Sequence, residues 1–341
     1  MPTDAHPPVN TTTTIPSNPT LTPPSPTSPH AAPEPPPPST PLQAKLRIIF
    51  LRALYKLAHS TDRTLLRLSN LLSTPAGTDS LLCTLAYTLE LLRALGSQIL
   101  ERRLTNLAAT IAEKADPLLL PGETLIASFP ASTGTRILGH FVGGSKSLAA
   151  VISEFRIFVR LWGLVGIYTW ARATYNSPLP AGAGRKEKVL RVVAWSQILS
   201  CAAFQILENG AYLASKGVLT SQNWSGEVGK RRETRWWVWS SRFWALHVAL
   251  EGVRLWTLHR YRRSAGETVE ERDGEKEGKL LVEESRKEDG MWRRDVVSNS
   301  AYFPMTLHWS TETGFLSDAG VGALGAVAGA ALLLDNWRNA A

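Results

Sequence analysis

The run AGVGALGAVAGAALLL (residues 319–334) decides how this chain is to be read. It is uncharged, built almost wholly from small side chains, and followed directly by Asp335. Gly325 and Gly329 form a GxxxG, and Ala319/Ala323 and Ala326/Ala330 add two small-xxx-small pairs. Glycine at this density costs a water-exposed helix about 1 kcal/mol per residue relative to alanine. In lipid the same residues are an advantage, because helices there are held by close backbone approach rather than by hydrophobic contact. A spanning helix needs ~20 apolar residues, so the run reaches full length only by starting near Thr313 and carrying Asp318 to the interface. The spacing predicts a self-association face at Gly322, Gly325 and Gly329, and with it a homo-oligomer. A Gly/Ala-rich helix inside a soluble core has the same composition.

Outward from this run, the 341 residues are far from uniform. Residues 1–40 hold 14 of the 22 prolines and no Lys or Arg. Such a segment cannot bury enough apolar surface to offset its ordering entropy, which predicts a disordered Pro/Ser/Thr-rich tail over 1–41 with polyproline II character. The tail lacks a basic and then apolar leader pattern, so no cleavable signal peptide is expected. Its only charges are Asp4 and Glu34, so the net charge of +8 rises to +10 over residues 41–341. A basic balance suits nucleic acid or an anionic membrane surface. Twelve Trp favour the membrane, where Trp prefers the interface. No RNP strand, zinc-finger spacing or basic zipper speaks for nucleic acid. Cys83 and Cys201 form neither a disulfide framework nor a metal spacing.

The spacing predicts an amphipathic N-terminal region over 42–112. In Leu42–Ser60, Lys45, Arg52, Lys56 and His59 share a narrow stripe, while Leu46, Phe50, Leu54 and Leu57 lie on the apolar side. Arg47 falls within that apolar side and must snorkel. Arg63 and Arg67 follow one turn apart, opposite Leu65, Leu68 and Leu72. This pattern suits a helix lying in a bilayer interface on anionic lipid. Ser73–Gly77 breaks the helix, Thr78-Asp79-Ser80 offers caps, and a second helix is expected from about Leu81 to Ile111. Residues 113–153 read as a Gly/Ser/Pro-rich linker. The last region, 154–338, reads as membrane-associated helices: Glu154–Tyr175, Val192–Leu207, Trp236–Leu258 and the small-residue run. A charged, low-complexity insert at 261–290 is expected to be disordered. Strand signals are few, so the fold class is all-α, with amphipathic and membrane-associated helices and a C-terminal Gly/Ala-rich hydrophobic helix.

No catalytic constellation, cofactor motif or metal site emerges, and no enzymatic activity is expected. Gly139–Ser147 (GHFVGGSKS) resembles a phosphate loop, but Ser145 stands between Gly144 and Lys146 and no buried strand precedes it. His247 and Glu251 lack a third ligand nearby. His308, between Leu307 and Trp309, reads as a packed histidine.

Four segments carry a family likeness: TLLRLSNLLSTPAGTDSLLCTLAYTLELL (64–92), FRIFVRLWGL (155–164), FQILENGAYLASKGVL (204–219) and SAYFPMTLHWSTETGFLSDAGVG (300–322). In this order, ending on a Gly-rich apolar run, they resemble the peroxisomal biogenesis factor 11 (peroxin-11) family, in its divergent filamentous-fungal branch. The resemblance implies a peroxisomal membrane protein that remodels and elongates the membrane by inserting an amphipathic helix, promoting peroxisome proliferation and division. It implies membrane-binding roles for Arg63 and Arg67 and for the stripe Lys45, Arg52 and Lys56, to which the helix pattern adds Arg47, Phe50 and Leu54, with anionic lipid as partner. Two other readings stand beside it: a pore or metabolite channel of the same membrane, and a scaffold that recruits fission machinery.

Overall fold

The computed structural model of the chain describes residues 42–115, 132–266 and 275–340. The proline-rich tail, residues 116–131 of the expected linker and residues 267–274 of the charged insert lie outside the described residues. Among the described residues eight α-helices follow one another: α1 (Leu42–Leu72), α2 (Pro75–Ala115), α3 (Thr133–Val159), α4 (Gly163–Asn176), α5 (Arg185–Ser215), α6 (Gly226–Gly266), α7 (Glu275–Trp309) and α8 (Asp318–Asn339). Short 3-10 turns occupy Arg160–Trp162 and Gln222–Trp224. Among the described residues there is no strand, and the all-α class stands as read from the sequence.

The helix starts show why these boundaries fall where they do. The break at Ser73–Thr74 holds, but α2 begins at Pro75 rather than near Leu81. The Thr74 hydroxyl accepts from the Gly77 amide at 3.1 Å, and proline in the first turn needs no donor of its own. Ser317 accepts from the Gly320 amide at 3.2 Å and so caps α8. Two expectations are corrected. Residues 133–153, read as linker, are helical in α3, which Ser132 opens by accepting from the Thr135 amide at 3.3 Å. Small residues weaken helix propensity without preventing a helix that packs against a neighbour. The phosphate-loop resemblance lies inside that helix and forms no loop. In the charged insert, residues 261–266 continue α6 and residues 275–290 belong to α7.

The chain divides by packing into residues up to Ala58 and residues from His59 onward. In the second unit the helices form a connected series in the order α3, α2, α8, α7, α6, α5, α4. Neighbours run antiparallel. Arg156 of α3 meets Asp79 at the start of α2 at 2.8 Å, while Gly96, further along α2, faces Val142, earlier in α3. In the same sense Asn336 of α8 donates to the Ser80 hydroxyl at 2.9 Å, and Gly322 faces Leu91. Trp244 of α6 stacks on Trp309 of α7 with centroids 5.5 Å apart, and Arg254 reaches Asp295 at 3.4 Å.

Candidate membrane interface

The second unit presents many of its large apolar side chains outward and buries polar ones among its apolar core. Small and polar side chains share its interior with apolar ones: Ala211, Ala328, Thr306 and Met305 have no exposed surface, and Leu71, Ile198 and Leu255 are buried beside them. On α5, Gln197, Ser200, Gln205 and Glu208 are buried. Its large apolar side chains Val192, Leu199 and Ile206, seven residues apart, point outward, with Leu199 69% exposed. The same seven-residue recurrence appears at Leu85, Leu92 and Ile99 of α2, at Trp239, Leu246 and Val253 of α6, and at Val327 and Leu334 of α8. Seven residues make nearly two turns, so each set is one stripe along its helix. Soluble proteins rarely expose apolar patches beyond a few hundred Å². Stripes on successive helices make this exterior a surface for lipid.

The polar interior is completely partnered. No buried side-chain nitrogen or oxygen among the described residues lacks a hydrogen bond. Arg160 holds Glu208 in a two-point contact, at 2.9 and 3.0 Å. Gln197 donates to Glu251 at 2.9 Å, and Glu251 pairs with Arg254 at 2.6 Å as the i, i+3 spacing predicts. Ser200 donates to the Phe243 carbonyl at 2.6 Å. Away from water such satisfaction is obligatory, since each orphaned polar group costs several kcal/mol. Past the end of α5, Lys216 sits 2.6 Å from Glu154. Its hydrogen bond holds the Glu154 carboxyl below, and in turn the lysine above, the ordinary range.

Among the described residues, α5 and α8 are long and apolar enough to cross a membrane. The 22 residues of α8 rise ~33 Å, against a hydrocarbon core of ~30 Å. The sixteen-residue run is too short by itself, and the structure lengthens it with paired charges at both ends. Asp318 meets Arg93 at 2.7 Å, and Asp335 meets Arg294.

The glycine face is given to the chain itself. Gly322, Gly325 and Gly329, expected to receive a second copy, lie against Leu91, Tyr87 and Thr84 of α2. A methyl group added at Gly322 would fall 2.6 Å from the Leu91 amide nitrogen. One added at Gly329 would fall 2.9 Å from the Thr84 backbone. The backbone that these glycines admit lies 231 to 245 residues earlier in the same chain.

The segment expected to be an amphipathic helix is helical as α1. In the first unit every described side chain from Lys45 to Ala58 is exposed, including Phe50 and Leu54 beside Lys45, Arg47, Arg52 and Lys56. In the second unit Arg63 and Arg67 are exposed, and Leu71 is buried. Asn70 donates to the Ala340 carbonyl at 3.3 Å.

Sequence reasoning found the lipid-seeking segments but not the polar interior that connects them. Arg160, Glu208 and Gln197 lie far apart in sequence, and only the helix faces unite them. His308 is a packed residue with a specific task. Its Nδ1 accepts from the Phe315 and Leu316 amides at 2.8 and 2.9 Å, folding back the turn between α7 and α8. His247 lies 3.2 Å from Cys201, and both cysteines are free. No cluster of metal-binding side chains occurs among the described residues.

Comparison with known proteins agrees with this picture. The family Peroxisomal biogenesis factor 11 (PEX11) matches residues 140–337, more than half of the chain. An uncharacterized protein of Schizosaccharomyces pombe is 29% identical over 173 residues, which cover 50% of this chain and 65% of that relative. No solved structure matches.

Proposed function

Because the chain belongs to the peroxisomal biogenesis factor 11 family, whose members are peroxisomal membrane proteins, we propose that it shapes that membrane during peroxisome proliferation. The helical unit from α2 to α8 anchors the protein in the bilayer, and α1 acts as the wedge. The observation that carries the reading is the exposed face of α1. Leu46, Phe50 and Leu54 are each at least half exposed beside a basic stripe. Fully burying a Leu or Phe side chain is worth about 1.5–3 kcal/mol. Lys45, Arg52 and Lys56 each add about 1 kcal/mol on an anionic surface. Ordering a helix from coil costs about 1–2 kcal/mol per residue, so net binding is small and responds to lipid composition. Insertion into one leaflet expands it and favours curvature.

Two tests follow. Leu54→Glu drags a charge into the interface, and cells carrying this variant are expected to lose elongated peroxisomes while the protein still resists carbonate extraction from the organelle. Elongation that persists with this variant would place the wedge outside residues 42–58. Replacing Lys45, Arg52 and Lys56 together by glutamine should weaken anionic-vesicle binding roughly a hundredfold at low salt. The difference from the unsubstituted chain should shrink at 1 M salt, where the Debye length is ~3 Å. Vesicle flotation across a salt series measures both.

A further inference from the structure

At the start of α6 the chain carries Lys230, Arg231 and Arg235, and one further turn along come Trp239 and Arg242. These side chains line one concave groove of about 500 Å³ together with Thr234, Val238 and Glu312. Four cations facing one carboxylate leave a net charge of +3 in a space of small-ligand size. The cations are not consumed by internal pairing. Arg242 donates to the Ser310 carbonyl at 3.2 Å and stacks over Trp239 at 4.8 Å, which fixes its guanidinium. Lys230 has only a solvent-exposed contact with Glu227 at 3.6 Å, which is worth little in water. Arg231 and Arg235 have no carboxylate partner among the described residues.

Trp239, which lines the groove, is exposed, and the exposed apolar side chains Leu246 and Val253 continue the same stripe along α6. Tryptophan concentrates at the headgroup level of a bilayer. The groove therefore opens where lipid phosphates lie, on the reading that this unit is embedded. Arginine forks match phosphate oxygens in two-point contacts. A phosphodiester brings a single negative charge, which one arginine satisfies, whereas a net +3 calls for more anionic charge.

We propose that this groove binds an anionic lipid whose headgroup carries a phosphomonoester, with Arg231, Arg235 and Arg242 holding the phosphate and Trp239 lying against the lipid beside it. This inference rests on the embedded reading of α5 to α8 and is independent of the wedge in α1.

The test uses the full chain in an uncharged detergent and native mass spectrometry to count bound lipid. Short-chain phosphatidylinositol 4-phosphate is expected to bind with one molecule per chain, tighter than short-chain phosphatidylserine. Arg231→Gln with Arg235→Gln should lower that affinity about tenfold or more, since each charge-assisted hydrogen bond lost is worth roughly that factor. Glu312→Gln should raise it, because the lining carboxylate repels the phosphate. Lys188→Gln, at an exposed cation of α5 outside the groove, should leave it unchanged. The unfolding midpoint in detergent is measured for every variant, and it should stay constant because all these side chains lie at the surface. Unaltered binding by the Arg231/Arg235 variant overturns the proposal. So does equal affinity for inositol 1,4-bisphosphate, which lacks acyl chains and would mark a site for a free phosphate. Release of the unsubstituted chain by carbonate would overturn the embedded reading itself, whatever the binding result.

Discussion

Replacing Gly322 and Gly329 by leucine is expected to separate α8 from α2 and unfold the bundle, even though both changes make the helix more hydrophobic. At each site the added side chain meets backbone. An added Cβ would approach the Leu91 nitrogen at Gly322 and the Thr84 nitrogen and Cα at Gly329, at 2.6 to 2.9 Å. Backbone cannot rotate aside as a side-chain tip can, so the helix axes must move apart. Overpacking costs about 1–3 kcal/mol per site, and two such sites consume much of a typical stability of about 5–15 kcal/mol. Leucine at Val327, half exposed on the opposite face of α8, should fall within about 0.5 kcal/mol of the unsubstituted protein. Unfolding in detergent, followed by tryptophan fluorescence, distinguishes the two faces. A double variant with an unshifted midpoint would show that the glycine seam does not hold the unit together. Cross-linking of the same variant reports on association between copies independently of that midpoint.

The second large effect is expected at Arg160, and it should be asymmetric. Glu208 is almost fully buried, whereas the Arg160 side chain is about one-third exposed. Arg160→Met strands a buried carboxylate, and removal of one partner from a buried pair costs about 3–5 kcal/mol. Glu208→Gln leaves an amide in place, and the freed guanidinium can turn to water or headgroups, so a loss of about 1 kcal/mol is expected. Arg160→Met combined with Glu208→Met should recover most of the stability lost by the first change, since well-packed apolar replacements for a buried pair are often neutral. Denaturation midpoints of the three variants in one detergent check the order. Equal losses from the two single changes would mean that water reaches Glu208.

Where sequence and structure agree, the message was local. The small-residue run needs only its own composition to announce a helix in close contact with another. The helical character of Leu42–Leu72 follows from spacing alone. Residues 133–153 misled because Gly139, Gly143, Gly144 and Ser145 suggest a linker when counted, although Ile137, Phe141, Leu148 and Val151 give that helix its outward apolar side. The choice of partner for Gly325 was not legible, since small residues state that a backbone approaches and do not say which. The same holds for Glu208, whose arginine lies 48 positions earlier. Polar residues inside apolar runs, such as Gln197, Gln205 and Glu208 on α5, lower the apparent fitness of that helix for lipid. In the fold Gln197, Gln205 and Glu208 are buried, while the large apolar Val192, Leu199 and Ile206 are exposed.

The pairing of α2 with α8 also has a consequence in time. At about 5–20 residues per second, some 10–45 s of synthesis separate the appearance of Ala115 at the end of α2 from that of Asn339 at the end of α8. Throughout that interval the seam formed by Thr84, Tyr87 and Leu91 has no permanent occupant. A nascent chain that committed its early helices to the bilayer one by one would wait with this seam open. Release of the whole polypeptide before insertion removes the wait, and predicts a soluble, chaperone-held precursor in the cytosol.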